Sequence, residues 1–156
     1  MIAIIDYNAG NITSVARALQ NIGQDFVITD DAKKLAAASR VIFPGVGAAG
    51  EAMAYLREKK LDKWLMNYIK TGKPLLGICL GTQIIMDYSE ENGTQCIGLI
   101  TGLTKRFPDK LTFNGQVLKI PQMGWNAVTL RRRHPVFEHV APDAEFYFVH
   151  SYYPAP

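Results

Sequence analysis

Pro74-Leu75-Leu76-Gly77-Ile78-Cys79-Leu80-Gly81-Thr82-Gln83 is the stretch around which the chain is organised. Pro74 to Ile78 reads as a short buried strand, and Leu80 to Met86 as the start of a helix. One cysteine stands between them, with a glycine two residues to either side. A nucleophile on a sharp strand-to-helix turn needs small neighbours because the turn is tight and strained. The following helix N-terminus favours a thiolate beside its amides. The pattern is that of a nucleophile elbow with Cys in place of Ser. The competing meaning of Cys79 is a buried core cysteine, against which the flanking glycines and the turn position count.

Working outward, the first half alternates strand and helix. Ile2 to Ile5 is an unbroken apolar run, as for a strand buried on both faces of a parallel sheet. Asn11 is placed to cap a helix from Ile12 to Ile22, with Ile12, Val15, Ala16, Leu19 and Ile22 at helical spacing and Gly23 after it. Phe26 to Ile28 reads as a strand, Asp31 to Ala38 as a short helix and Arg40 to Phe43 as a third strand. Helices from about Ala48 to Glu58 and from about Leu61 to Lys70 precede the elbow. This succession predicts an α/β fold with a parallel sheet. After Ser89, glycine, proline and short alternating runs take over. Leu103 to Phe107, Gln116 to Ile120, Ala127 to Leu130 and Glu145 to Val149 read as strands of a mostly antiparallel, hairpin-rich extension within one domain spanning 1–156. The chain stops at Tyr152-Tyr153-Pro154-Ala155-Pro156, straight after a strand and without a closing helix. The domain is therefore expected to be incomplete at its C-terminus.

With 156 residues, 48% hydrophobic and 20% charged, the chain can bury one sizeable core. A net charge of +3 is too mild to argue for nucleic acid. The dense basic run Arg131-Arg132-Arg133-His134 reads as a solvated hairpin before it reads as a phosphate or nucleic-acid patch. Two cysteines, Cys79 and Cys96, make no disulfide framework and fit a reducing compartment. The apolar N-terminal run is too short for a signal h-region or a membrane span, so a cytoplasmic chain is expected.

Gly45-Val46-Gly47-Ala48-Ala49-Gly50 matches G-x-G-x-x-G, but it follows the third strand, and Lys70 stands about where a dinucleotide fingerprint wants an acid. Two readings remain. The glycines bring backbone amides toward a substrate oxyanion, or they form a plain strand-to-helix turn. A nucleophilic Cys needs a base, usually His. His134 has Glu138 nearby but follows three arginines in a surface turn, His139 sits on a short exposed turn, and His150 lies in the apolar run Phe146-Tyr147-Phe148-Val149. None is a convincing base. Three scattered histidines and two distant cysteines show no metal-ligand spacing, and no cofactor is expected. Pro121-Gln122-Met123-Gly124-Trp125-Asn126 lacks a simple strand period. With Tyr147, Tyr152 and Tyr153 it makes a partner surface plausible.

Gly77-Ile78-Cys79-Leu80-Gly81-Thr82-Gln83 resembles the nucleophile motif of the triad (class I) glutamine amidotransferases. Four further motifs narrow the resemblance to the glutaminase subunits of imidazole glycerol phosphate synthases: Asp6-Tyr7-Asn8-Ala9-Gly10-Asn11, Pro44-Gly45-Val46-Gly47, Pro121 to Asn126, and Phe146 to Tyr152. The resemblance covers the whole chain. It implies a flavodoxin-like, mostly parallel central sheet flanked by helices, with an antiparallel hairpin extension and with the last strands and helix missing. Cys79 would attack the side-chain amide of glutamine and form a glutamyl thioester. Backbone amides near Val46-Gly47 and at Leu80 would hold the oxyanion. Gln83, with the backbone at Ser151 and Tyr152, would hold the glutamine. Released ammonia would pass to a (β/α)8-barrel cyclase of histidine biosynthesis, with Asn8, Asn11, Trp125, Asn126 and Tyr147 at or near that interface. No nucleic acid and no membrane are implied.

Two departures stand out. Gln122 replaces the His usual in the family's P-H-M-G-W-N motif. The base and orienter come, in the family, from a later F-H-P-E type motif that is absent here, so residues 1–156 alone are expected to be nearly inactive. The competing readings are a short non-catalytic partner of the cyclase and another Cys hydrolase on a related fold.

Overall fold

The computed structural model describes residues 1–8, 11–113 and 115–156. Ala9 and Gly10 of the Asp6–Asn11 motif lie outside the described residues. The chain forms two compact units, residues 1–106 with 152–156, and residues 107–151.

In the first unit, β1 (Ile2–Ile5), β2 (Phe26–Thr29), β3 (Arg40–Phe43) and β4 (Leu75–Gly77) make an all-parallel sheet in the order β2-β1-β3-β4. These are the first four positions of the flavodoxin-like order. The apolar runs of β1 and β3 are explained by burial on both faces, whereas Ile28 of β2 is 41% exposed and β4, expected as a buried strand, leaves Leu76 49% exposed. Ile2, Ile4 and Ile42 pack with Ala16 and Leu19 of α1 (Ile12–Asn21). On the other face Ala3, Ile5, Val41 and Phe43 pack with Leu35 of α2 (Ala32–Ala37), Met53 and Leu56 of α3 (Ala49–Glu58), and Leu61 and Leu65 of α4 (Leu61–Ile69). A parallel sheet covered by helices on both faces needs this double-sided hydrophobicity.

The order places β2 on one side of β1 and β3 on the other. The loops after β1 and β3 therefore diverge at a topological switch point, the usual ligand crevice of such sheets. The loops after β1, β3 and β4 carry Tyr7, Pro44 to Gly47 and Cys79. A second sheet in this unit has the order β12-β7-β5-β6, from β5 (Tyr88–Ser89), β6 (Thr94–Gln95), β7 (Leu103–Arg106) and β12 (Tyr152–Ala155). Its pairings are antiparallel except between β5 and β7.

The second unit holds two antiparallel ribbons. A small one pairs β8 (Thr112–Phe113) with β9 (Gln116–Val117), and a longer one pairs β10 (Gln122–Ala127) with β11 (Glu145–His150). The basic run Arg131 to His134 lies exposed in the long connection between β10 and β11.

Several expectations are corrected. The helix after the elbow, α5, is only Leu80–Gln83 and does not reach Met86. The carbonyls of Ile84, Ile85 and Met86 accept from the amides of Ile97, Leu99, Ile100 and Gly98, and are thereby drawn out of a helical ladder. The strand expected at Ala127 to Leu130 lies instead at Gln122–Ala127, and β9 stops at Val117. Tyr152–Ala155 forms a strand that periodicity did not indicate. Asn11 stands at the N-cap of α1 with a φ of 42°, and its side chain makes no capping bond to a backbone amide; its Oδ1 accepts from the Ser14 hydroxyl instead. No helix among the described residues is long and apolar enough to cross a membrane.

Gly50 lies inside α3, where an added Cβ would meet nothing closer than Thr94 Oγ1 at 3.5 Å. Gly50→Ala is therefore expected to stabilise the fold by about 0.5–1 kcal/mol. Urea or thermal denaturation reads the shift; a loss of stability would contradict this packing.

Candidate active site

The elbow takes its shape from close backbone contacts. The Ile78 amide donates to the Phe43 carbonyl at 3.0 Å, tying the end of β4 to β3. Cys79 then adopts φ 53° and ψ −115°, and its side chain is exposed. A non-glycine residue held there costs on the order of 1–3 kcal/mol, the strain typical of a nucleophile elbow. The Thr82 and Gln83 amides turn back to the Cys79 carbonyl at 2.9 and 3.2 Å. The flanking glycines are required by proximity. A Cβ on Gly77 would lie 3.1 Å from the Gly81 carbonyl oxygen and from Thr82 N, and a Cβ on Gly81 would overlap the Phe43 carbonyl.

The loop after β3 borders the elbow. Gly45 is buried, whereas Val46 and Gly47 are exposed, and Gly47 has a φ of 94°. The Leu80 amide, the expected oxyanion donor of the elbow, points at the Gly45 carbonyl across a long 3.4 Å contact. At the far end of the loop, Glu91 Oε2 accepts from the Ala49 amide at 2.7 Å and so satisfies the first turn of α3. The sequence offered no signal for that link, because Glu91 is 42 residues away.

Tyr7 was also not singled out. It stands two residues after β1, is 2% exposed, and donates its hydroxyl to the Pro44 carbonyl at 2.7 Å. Burial, and then the nearby Cys79 charge, push its phenol well above the ordinary tyrosine range. A tyrosine two residues after a buried first strand, at the crevice edge of the sheet, was the available clue.

Gln83 is buried, and its Nε2 donates to the Tyr152 carbonyl at 3.1 Å. The structure thus brings together two of the residues expected to hold glutamine. Thr104 fixes Gln83 further by donating its hydroxyl to the Gln83 carbonyl at 2.7 Å. Ser151 belongs to the second unit, where its carbonyl accepts from the Phe107 amide at 3.0 Å.

In the ribbon of β10 and β11, Trp125 pairs directly with Tyr147, ring centroids 5.5 Å apart edge to face. Trp125 is 65% exposed and Tyr147 53%, and the neighbouring pair Met123 and Val149 is equally open. Asn126 points to the opposite face. It lines a cavity of about 330 Å³ with Phe107, Gln122, Phe148 and His150. Asn8 and Asn11 are exposed, both at positive φ.

No histidine occurs in the unit that carries Cys79. His134 and His139 are exposed, and His150 packs between the rings of Phe107 and Phe148 at 5.1 and 5.7 Å. Among the described residues no hydrogen bond reaches the Cys79 sulfur. Cys96 is buried, and burial pushes its thiol up to about 11, which leaves Cys79 as the accessible sulfur. Among the described residues no three His, Cys, Asp or Glu side chains gather as a metal site.

An exposed cysteine at positive φ between two closely packed glycines makes the local geometry of a nucleophile elbow. The family model "Glutamine amidotransferase class-I" matches residues 3–156. The chain belongs to the class-I glutamine amidotransferases. Similarity within this family extends to the whole chain. It is 51% identical over 157 aligned positions to the imidazole glycerol phosphate synthase subunit HisH of Nitratidesulfovibrio vulgaris (strain DSM 19637 / Miyazaki F), covering 100% of this chain and 74% of that protein. A protein of the same name from Dehalococcoides mccartyi (strain CBDB1) is 46% identical over 157 positions, covering 100% and 73%. A crystal structure of a glutamine amidotransferase superposes with a TM-score of 0.59 at 18% identity, over 68% of this chain and 57% of that one. That likeness speaks for the fold alone.

Proposed function

We propose that this chain is the glutaminase subunit of an imidazole glycerol phosphate synthase, and that it supplies ammonia to a cyclase subunit in histidine biosynthesis. The observation that carries the chemistry is Cys79, exposed at φ 53° beside the Gly45–Gly47 loop. The identity of about half the chain to HisH subunits supports the pathway. The two units belong on this reading to one amidotransferase domain, as the match over residues 3–156 suggests, and the protein works in the cytoplasm.

In the reaction, Cys79 Sγ attacks the side-chain carbonyl carbon of glutamine. The carbonyl electrons move to the oxygen, and their return expels the amide nitrogen as ammonia once it gains a proton. Water then cleaves the thioester to glutamate and frees the thiol. Gln83, held on the Tyr152 carbonyl, and the backbone at Ser151 position the glutamine. The oxyanion falls to the amides of Leu80 and of the Val46–Gly47 segment. The Leu80 amide faces the Gly45 carbonyl at 3.4 Å, so the pocket has to be set before it can serve. Arrival of the cyclase and its substrate would reorient the exposed Val46–Gly47 peptide, for which Gly47 has the necessary freedom.

General acid–base help is worth about 10² to 10⁴-fold. Among the described residues no hydrogen bond reaches the Cys79 sulfur, so residues 1–156 by themselves should hydrolyse glutamine poorly. The test of function is glutamate release by the full-length protein with its cyclase, stimulated by the cyclase substrate; a pair that releases neither glutamate nor ammonia would refute it.

The ribbon supports a barrel partner. Apolar side chains alternate onto its solvent face, with Trp125 and Tyr147 at the centre of the stripe. A large exposed aromatic pair is the usual anchor of an interface. Asn8 and Asn11 are also proposed to contact the cyclase, whereas Asn126, on the other face of β10, would act by shaping the ribbon through its 3.2 Å bond to the Gly124 carbonyl. Trp125→Ala is expected to weaken cyclase binding by about 30-fold or more, with the melting temperature unchanged. Titration calorimetry reads this; unaltered affinity would move the interface elsewhere.

A further inference from the structure

The Pro44–Gly47 segment is pinned at one end and open at the other. Pro44 and Gly45 are buried. The Pro44 carbonyl receives the Tyr7 hydroxyl at 2.7 Å, and the Tyr7 ring lies on Phe43, centroids 5.3 Å apart. A Cβ on Gly45 would overlap the Tyr7 hydroxyl and come within 2.8 Å of Gly81 N and Leu80 Cβ. Tyr7, Gly45 and the elbow therefore form one backbone-tight stack. One residue further on, the packing ends. Val46 is 45% exposed, and a Cβ on Gly47 would have nothing within 4 Å.

We propose that Tyr7 is a positioning residue for glutamine hydrolysis: its hydroxyl, bonded to the Pro44 carbonyl, holds Gly45 against the elbow so that only Val46 and Gly47 move when the oxyanion pocket is set. This rests on the glutaminase reading above. Tyr7 acts through the Pro44–Gly45 peptide. Its phenol, raised by burial and by the Cys79 charge, stays protonated at any working pH and so serves as a donor, not as a base. Without the hydroxyl a buried carbonyl loses its partner, and the peptide carrying the pivot is free to rock. Preorganised donors lose most of their value when their frame loosens.

The test is Tyr7→Phe in the full-length protein with its cyclase, because phenylalanine keeps the ring on Phe43. The expected result is a kcat for glutamine hydrolysis lowered about tenfold, with KM within about twofold. Alkylation of Cys79 by iodoacetamide should keep its rate, since displacement at an alkyl carbon builds no oxyanion. An unchanged kcat overturns the proposal. A parallel fall in alkylation rate, or a fall in kcat matched by loss of folded protein, also overturns it and leaves Tyr7 a purely structural residue. If the wild-type pair itself fails to hydrolyse glutamine, the glutaminase reading has failed, and that outcome is visible before any variant is compared.

Discussion

Cys79→Ala in the full-length protein, assayed with its cyclase, is expected to lower glutamine-dependent turnover by at least about 10³-fold. Ammonia-dependent turnover should be unchanged, because added ammonia enters after the step that Cys79 performs. The separation between the two activities is the informative part. A variant that merely unfolds loses the glutamine reaction together with cyclase binding, whereas loss of the nucleophile alone leaves the complex intact. Cys79→Gly carries a further expectation. Cysteine at φ 53° is strained, and glycine relieves that strain. The glycine variant should be inactive on glutamine yet more stable than wild type by about 1 kcal/mol, as expected where strain is retained for function. A glycine variant less stable than wild type would contradict the elbow geometry.

Gly81→Ala is expected to have the largest effect on folding. Its Cβ would overlap the Phe43 carbonyl oxygen and lie 2.9 Å from the carbonyl carbon. Both atoms are backbone of β3, at the point where Ile78 N already binds that same carbonyl, so no side chain can swing away. Relief requires the elbow to separate from the sheet. A cost of about 3 kcal/mol or more follows, at the upper end of overpacking effects. Denaturant unfolding measures it, and insoluble expression agrees with it. A folded Gly81→Ala protein with a wild-type midpoint would mean that the elbow does not press on β3. The contrast with Gly50→Ala, expected to stabilise, separates crowding from general intolerance of glycine replacement.

Much of the parallel half was legible because β1 and β3 are buried on both faces and the helices on one. Arg40–Phe43 and Ile2–Ile5 were read to the residue, since an apolar run bounded by loop residues leaves little choice. The elbow was legible from Gly77, Cys79 and Gly81. What failed has a physical reason in each case. The Gln122–Ala127 strand hid because its alternation is inverted, with Met123 and Trp125 outward and Gln122, Gly124 and Asn126 inward. The helix after the elbow was overestimated because Ile84 to Met86 are apolar at either spacing, and only the distant 97–100 segment reveals that their carbonyls are taken. A four-residue α5 also weakens the argument that a helix N-terminus stabilises the Cys79 thiolate. The links from Glu91 to Ala49 and from Tyr7 to Pro44 depend on contacts 42 and 37 residues apart, which no local pattern encodes.

The most direct test of the central claim is covalent. The full-length protein, with its cyclase bound, is incubated with an electrophilic diazoketone analogue of glutamine and digested for mass spectrometry. The account predicts one adduct, on Cys79, blocked by excess glutamine, with Cys96 unmodified in its buried site. An unlabelled Cys79, or labelling that glutamine does not protect, would contradict it.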